Sequence, residues 1–205
     1  MIHLQVSKAS RKTLTHIEQA IRLFHRRWSV PVVAALSRLG PLRFVELVRT
    51  LDASRDTLTE TLSSLLQTGL VERRAADGER FMTYVLTDAG RRLAPLCIDC
   101  VNATRDLGAR RSALKKWPMV VLVAVGRGQA RYNAVKAQLP GITARALAAA
   151  LKDLESDGLV RRAIEPGYPP RTHYRLTERG GQLYPSMETL ITACEALPMP
   201  AIGSI

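Results

Sequence analysis

Two copies of one mainly α unit with small β-hairpins, an α+β chain, are predicted by three observations. The first is an internal repeat. Arg27-Trp28 matches Lys116-Trp117, Gly69-Leu70-Val71 matches Gly158-Leu159-Val160, and Tyr84-Val85-Leu86-Thr87 matches Tyr174-Arg175-Leu176-Thr177. Order and spacing are kept, which identifies a tandem architecture before any element is assigned. The second is leucine at helical spacing in both copies, Leu58, Leu62 and Leu65 against Leu147, Leu151 and Leu154. The third is that each leucine stripe runs into glycine and then two short β-prone segments. Units of residues 1–108 and 109–205 are expected.

In chain order, Ile17 to Arg26 predicts a helix, with Ile17, Ala20, Ile21 and Phe24 on one face. Trp28 to Leu39 predicts a second, stopped by Gly40-Pro41, and Phe44 to Leu51 a third. Ser54 and Thr143 stand as N-caps of the leucine-striped helices, over about 54–67 and 143–156. Gly69 and Gly158 end those helices where a left-handed residue is needed. Strands follow at Leu70 to Arg74 and Phe81 to Leu86, around an Asp77-Gly78 turn. Their counterparts are Leu159 to Ile164 and Thr172 to Leu176, around a Pro- and Gly-rich loop. Thr87 and Thr177 open closing helices. The first closing helix, about Asp88 to Asp106, meets another predicted over Ala109 to Lys116, interrupted only by Gly108. With no Gly/Ser tether, the two copies are expected at a fixed angle, as an intramolecular pseudo-dimer. Three helices, a hairpin and a closing helix make a winged helix-turn-helix plan.

The motifs of the second copy resemble those of the HxlR family of bacterial winged-helix regulators. They are Lys116-Trp117, Arg131-Tyr132-Asn133, Leu139-Pro140-Gly141-Ile142-Thr143, Leu151-Lys152-Asp153-Leu154-Glu155, Asp157-Gly158-Leu159-Val160, and Pro169-Pro170-Arg171 before Tyr174-Arg175-Leu176-Thr177. The first copy fits more loosely, with a turn one residue shorter at Leu51-Asp52-Ala53-Ser54 and no double proline before its last strand. The resemblance implies a DNA-binding transcriptional regulator, more often a repressor, whose single units pair through their first and last helices. A fused pair looks like that dimer in one polypeptide. Some relatives sense oxidants through a cysteine near the N-terminus, but here none precedes Cys97.

Charge agrees with a polyanionic partner. Thirty Lys+Arg against eighteen Asp+Glu give +12. Up to Gly108 there are 16 basic and 11 acidic residues, and after it 14 and 7, so both copies are basic. At 5% aromatic residues, a base-stacking groove for single strands is disfavoured. With the leucines buried, the first reading helix exposes Arg55, Asp56, Thr59, Glu60 and Ser63, beside Ser54. The second exposes Ala144, Arg145, Ala148, Ala149 and Lys152, beside Thr143. Arg55 and Arg145 are the foremost candidates for guanine contact. Unequal faces predict an imperfect palindrome on double-stranded DNA, with half-sites about one turn, roughly 34 Å, apart. Arg26, Arg27, Lys115 and Lys116, with Arg43 and Arg131, are candidate phosphate contacts. Arg80 and Arg171 are candidates on the wings.

Other chemistry finds little support. Cys97-Ile98-Asp99-Cys100 has no second pair for zinc, and packing is expected of it. Val120 to Gly128 resembles a phosphate loop but lacks its third glycine, and the repeat maps it onto a helix. The four histidines are scattered, so no enzyme, cofactor or metal site is expected. Core packing is expected of Trp28 and Trp117. Two alternative readings are an effector sensor binding a small apolar ligand between the halves, near the tryptophans, and a module for protein or RNA. No apolar run is long enough to span a membrane, and Met1 to Ala9 carries no secretion-signal core. A cytoplasmic monomeric pseudo-dimer or homodimer is the expectation.

Overall fold

The computed structural model describes residues 17–75, 81–109, 113–128, 131–166 and 171–194. Helix α1, described over 17–23, is followed by α2 (Ser29–Leu39), α3 (Phe44–Leu51) and α4 (Arg55–Gln67). Strands β1 (Val71–Ala75) and β2 (Met82–Leu86) and the long helix α5 (Asp88–Asp106) complete the first unit. The second repeats the plan as α6 (Lys116–Gly126), α7 (Tyr132–Gln138), α8 (Ala144–Ser156), β3 (Val160–Glu165), β4 (Arg171–Leu176) and α9 (Glu178–Ala193). The chain is thus a tandem winged helix-turn-helix protein.

Local chemistry explains the boundaries. Ser54 Oγ accepts from the Thr57 amide and Thr143 Oγ1 from the Ala146 amide, so α4 and α8 are capped as their sequences predict. Both end alike. Gly69 and Gly158 take φ of 69° and 66°, and Leu70 N–H and Leu159 N–H donate back to the carbonyls of Leu65 and Leu154. This is the bond pattern of a glycine-terminated helix, and it turns the chain into the wing. The shorter turn of the first unit puts Asp52 at φ 50°, where the second unit uses Gly141 at φ 73°. Thr87 and Thr177 each tie two elements together. Each hydroxyl accepts from a glycine amide in its own helix (Gly90, Gly180) and donates to the carbonyl of Gly69 or Gly158 at 2.6 Å.

Two expectations need correction. The first helix stops at residue 23, not Arg26, because residues 24–28 form the turn into α2. The helix expected over Ala109 to Lys116 lies partly outside the described residues. Its described end, Ala113 and Leu114, is a buried turn, and extended Lys115 (ψ 153°) defers the helix to Lys116. The Val120 to Gly128 run is helical through Gly126, as the repeat requires.

Each wing is a two-stranded antiparallel sheet, with Val71 opposite Leu86 and Val160 opposite Leu176. Sequence periodicity missed a third partner: Leu42 and Tyr84 exchange backbone hydrogen bonds at 2.8 and 3.2 Å. Arg131 bridges His173 in the same way, tying the approach to α3 and α7 to the wings.

The leucine stripes are fully inside; Leu58, Leu62, Leu65, Leu147, Leu151 and Leu154 expose 3% or less. Between the units, α5 packs along α9, which within its own unit also packs on α6. Cys97, Cys100, Leu190 and Cys194 are buried there, and Cys100 Sγ donates to the Ser186 carbonyl across the seam at 3.2 Å.

Candidate nucleic-acid interface

Burying one side of α4 fixes what the other side offers. Leu58, Thr61, Leu62, Ser64 and Leu65 are inside, leaving an outward arc centred on Asp56, Thr59 and Ser63. Arg55 sits at one edge of that arc, its guanidinium 5.3 Å from the centre of the Phe44 ring. Glu60 is at the other edge and takes a 2.6 Å ion pair from Arg26. Thr59 Oγ1 donates to its own helix at the Arg55 carbonyl, which leaves an acceptor and a methyl group outward.

On α8 the exposed arc is Ala144, Arg145, Ala148, Ala149 and Lys152. The caps set the register between the helices: Ser54 matches Thr143, so Arg55 matches Ala144 and Arg145 matches Asp56. The two arginines singled out in the sequence therefore occupy different places. At the middle of the outward arc, the first unit carries a carboxylate and the second a guanidinium. Neither Arg145 nor Lys152 has a polar partner among the described residues. Tyr132, from α7, donates its hydroxyl to the Ala144 carbonyl at 2.8 Å and steadies the start of α8.

Helices α4 and α8 both border one open groove of about 500 Å³. Thr57 and Glu60 stand on its α4 side, and their repeat equivalents Ala146 and Ala149 on its α8 side. Arg26, Arg27, Lys115 and Lys116 line the groove with Trp117. The basic pairs at the approach to α2 and the start of α6 thus meet between the two helices. Two of the four are charge-paired internally, Arg26 to Glu60 and Lys115 to Asp153 at 2.8 Å. The other two lie over indole rings, Arg27 on Trp28 at 4.8 Å and Lys116 on Trp117 at 4.4 Å. Those rings are half-buried: each packs one side against the core and turns another to a concavity. Core packing alone does not describe them.

Arg43 is engaged with Glu46, by Nε at 3.2 Å and Nη2 at 2.8 Å, and lies 5.7 Å from the Phe81 ring. Its hydrogen bonds hold the Glu46 carboxyl below its usual pKa. Arg131 is exposed at the matching place. Arg171 opens β4, and Arg80 lies outside the described residues. Exposed Arg73, Arg74, Arg161 and Arg162 on the wing strands were not singled out in the sequence; the recurrence of Arg73 as Arg162 at one repeat position is the signal that was there.

The three cysteines are free thiols, all of them buried. Burial raises the Cys97 and Cys194 thiols far above their ordinary pKa and holds Cys100 at about 12. Among the described residues no group of histidine, cysteine and carboxylates could hold a metal ion, and no helix is long and apolar enough to cross a membrane.

Comparison with known proteins meets this geometry in both halves. The family model for the HxlR-like helix-turn-helix matches residues 23–108 and again 113–199. A Methanothermobacter thermautotrophicus protein, named an HTH-type transcriptional regulator, is 39% identical over 75 residues, 37% of this chain and 57% of its own length. A regulator of the same description from Halalkalibacterium halodurans is 41% identical over 76 residues, 37% of this chain and 67% of its own. YtfH of Escherichia coli is 32% identical over 90 residues, 44% of this chain and 71% of its own. Each alignment thus takes in less than half of the chain, and the first spans under two thirds of its relative.

Proposed function

The chain belongs to the HxlR-like helix-turn-helix family, and on that premise we propose that it is a transcriptional regulator, in the sense of a repressor, that reads double-stranded DNA with α4 and α8 together. The observation that carries the reading is the shared groove. Two helices with leucine-free outward arcs border a concavity lined by Arg26, Arg27, Lys115 and Lys116. Phosphates attract such a cationic strip whatever the sequence, while the arcs on either side supply base contacts.

The arcs differ, so the operator is an imperfect palindrome whose half-sites lie about one turn of duplex apart. Arg145 and Lys152 read the stronger half, with Ala148 and Ala149 allowing close approach or contact to thymine methyls. Arg55, Thr59 and Ser63 read the weaker half, where Asp56 opposes phosphate. Ser54 and Thr143 are caps first, and their exposed hydroxyls reach the backbone of the duplex. Arg43, Arg131, Arg80 and Arg171 add phosphate or minor-groove contacts at the flanks. One polypeptide supplies both halves, with the division near Gly108, and works as a monomeric pseudo-dimer in the cytoplasm.

Footprinting on the DNA upstream of its own gene, repeated at two salt concentrations, tests the reading. A protected site with unequal halves, retained over random duplex at the higher salt, is expected. Equal affinity for every duplex, lost together with salt, rejects sequence reading.

A further inference from the structure

A second cavity, of about 590 Å³, opens between α2, the end of α3 and α5. That volume is in the range of small-molecule sites. Trp28, Leu51 and Val101 are among its apolar lining residues, and Leu114 from the second unit borders it. Three guanidinium groups, of Arg27, Arg38 and Arg105, stand around it, with Asp52 as the one carboxylate. None of the three arginines forms an ion pair with another described residue. Arg38 donates only to the neutral Asn102 Oδ1, at 2.6 Å.

The repeat supplies an internal control. Arg127 occupies the place of Arg38 in the second unit and is gripped there by Glu188, with contacts of 2.7 to 3.0 Å. The position equivalent to Glu188 in the first unit is Ile98. One copy thus answers its arginine with a built-in carboxylate. The other leaves the arginine facing an open cavity beside two more.

We propose that this cavity binds a small organic anion, a carboxylate on an apolar body, and that the occupant draws Arg27 away from DNA. The carboxylate meets the guanidinium groups, which match it in a two-pronged geometry, and the body lies on Trp28. Arg27 is common to both concavities, this cavity and the groove between the reading helices. Occupancy of one therefore removes a cation from the other. This second part rests on the DNA-binding reading above; the binding itself does not.

The test uses the full chain with benzoate and octanoate as probes and benzamide as the uncharged control. Trp117→Phe leaves Trp28 as the sole tryptophan, so its fluorescence reports occupancy without DNA, and calorimetry on the unsubstituted chain checks that the substitution is harmless. Saturable quenching by at least one of the acids is expected, weakened about tenfold or more in benzamide and in the Arg38→Ala, Arg105→Ala double variant. Saturating acid is expected to weaken operator binding several-fold in the unsubstituted chain. The absence of saturable binding by either acid, or binding indifferent to the double variant, overturns the site. Operator affinity unchanged at saturation overturns the link through Arg27. A chain that binds no DNA at all would instead defeat the earlier reading, since the fluorescence signal does not depend on it.

Discussion

Asp56 and Arg145 hold the same place on two equivalent helices and carry opposite charge, and much of the expected behaviour on DNA turns on that pair. Arg145→Ala is expected to cost about 1–3 kcal/mol at one half-site, with relaxed preference at a single base, in a titration over operator variants. Arg55→Ala should cost less, because Arg55 lies against Phe44 at the edge of its arc. A uniform loss over all duplexes for Arg145→Ala would reassign that residue to phosphate. The buried thiols give a second residue-scale expectation. Near neutral pH all three are protonated in the folded chain and almost entirely so in the unfolded chain, and their burial meets no ionisation penalty. Above it the unfolded chain releases thiol protons that the folded chain retains, so stability falls as pH climbs toward 12. At pH 8 an alkylating reagent, read by mass spectrometry, should leave all three cysteines unmodified until denaturant is added.

At the scale of elements, the junction of each wing with its closing helix is the most exacting part of the structure. A Cβ on Gly180 would come within 1.9 Å of the Leu159 carbonyl oxygen, and one on Gly90 within 2.1 Å of that of Leu70. Gly180→Ala therefore forces the helix off the sheet and is expected to destabilise the chain by about 2 kcal/mol or more in urea unfolding. Thr177→Val removes the cap and the strap to Gly158 together, for a loss of about 1–2 kcal/mol. Gly181→Ala, where no atom lies within 4 Å, is the control in the same helix and is expected to be neutral or to stabilise by up to about 1 kcal/mol. These elements were largely legible in the sequence because their signals are local: a capping hydroxyl, a glycine at the helix end, leucine every third or fourth residue. What escaped was non-local. Nothing adjacent in the chain marks the Leu42 and Tyr84 pairing, and neither ion pair in the groove joins neighbours, Arg26 to Glu60 and Lys115 to Asp153. The turn before α6 reads as helix in the sequence because Ala113 and Leu114 are good helix formers; their burial in a turn outweighs that preference.

Across the whole molecule, the seam between α5 and α9 decides whether two halves behave as one. Leu190, Met187, Cys97 and Cys100 are all inside it. Leu190→Ala is expected to cost about 2–5 kcal/mol, and because both units lean on that seam, the loss should appear in a single cooperative transition. Two resolved transitions in calorimetry, with only one shifted, would instead mean that the halves unfold independently. The unequal reading arcs of α4 and α8 have a consequence of their own. A pair of identical subunits on a palindrome looks the same from either end and cannot tell upstream from downstream. On the proposed reading, this protein, whose two readers are different but joined, has a head and a tail, and is expected to sit on its site in one orientation and present a different flank to the gene on each side.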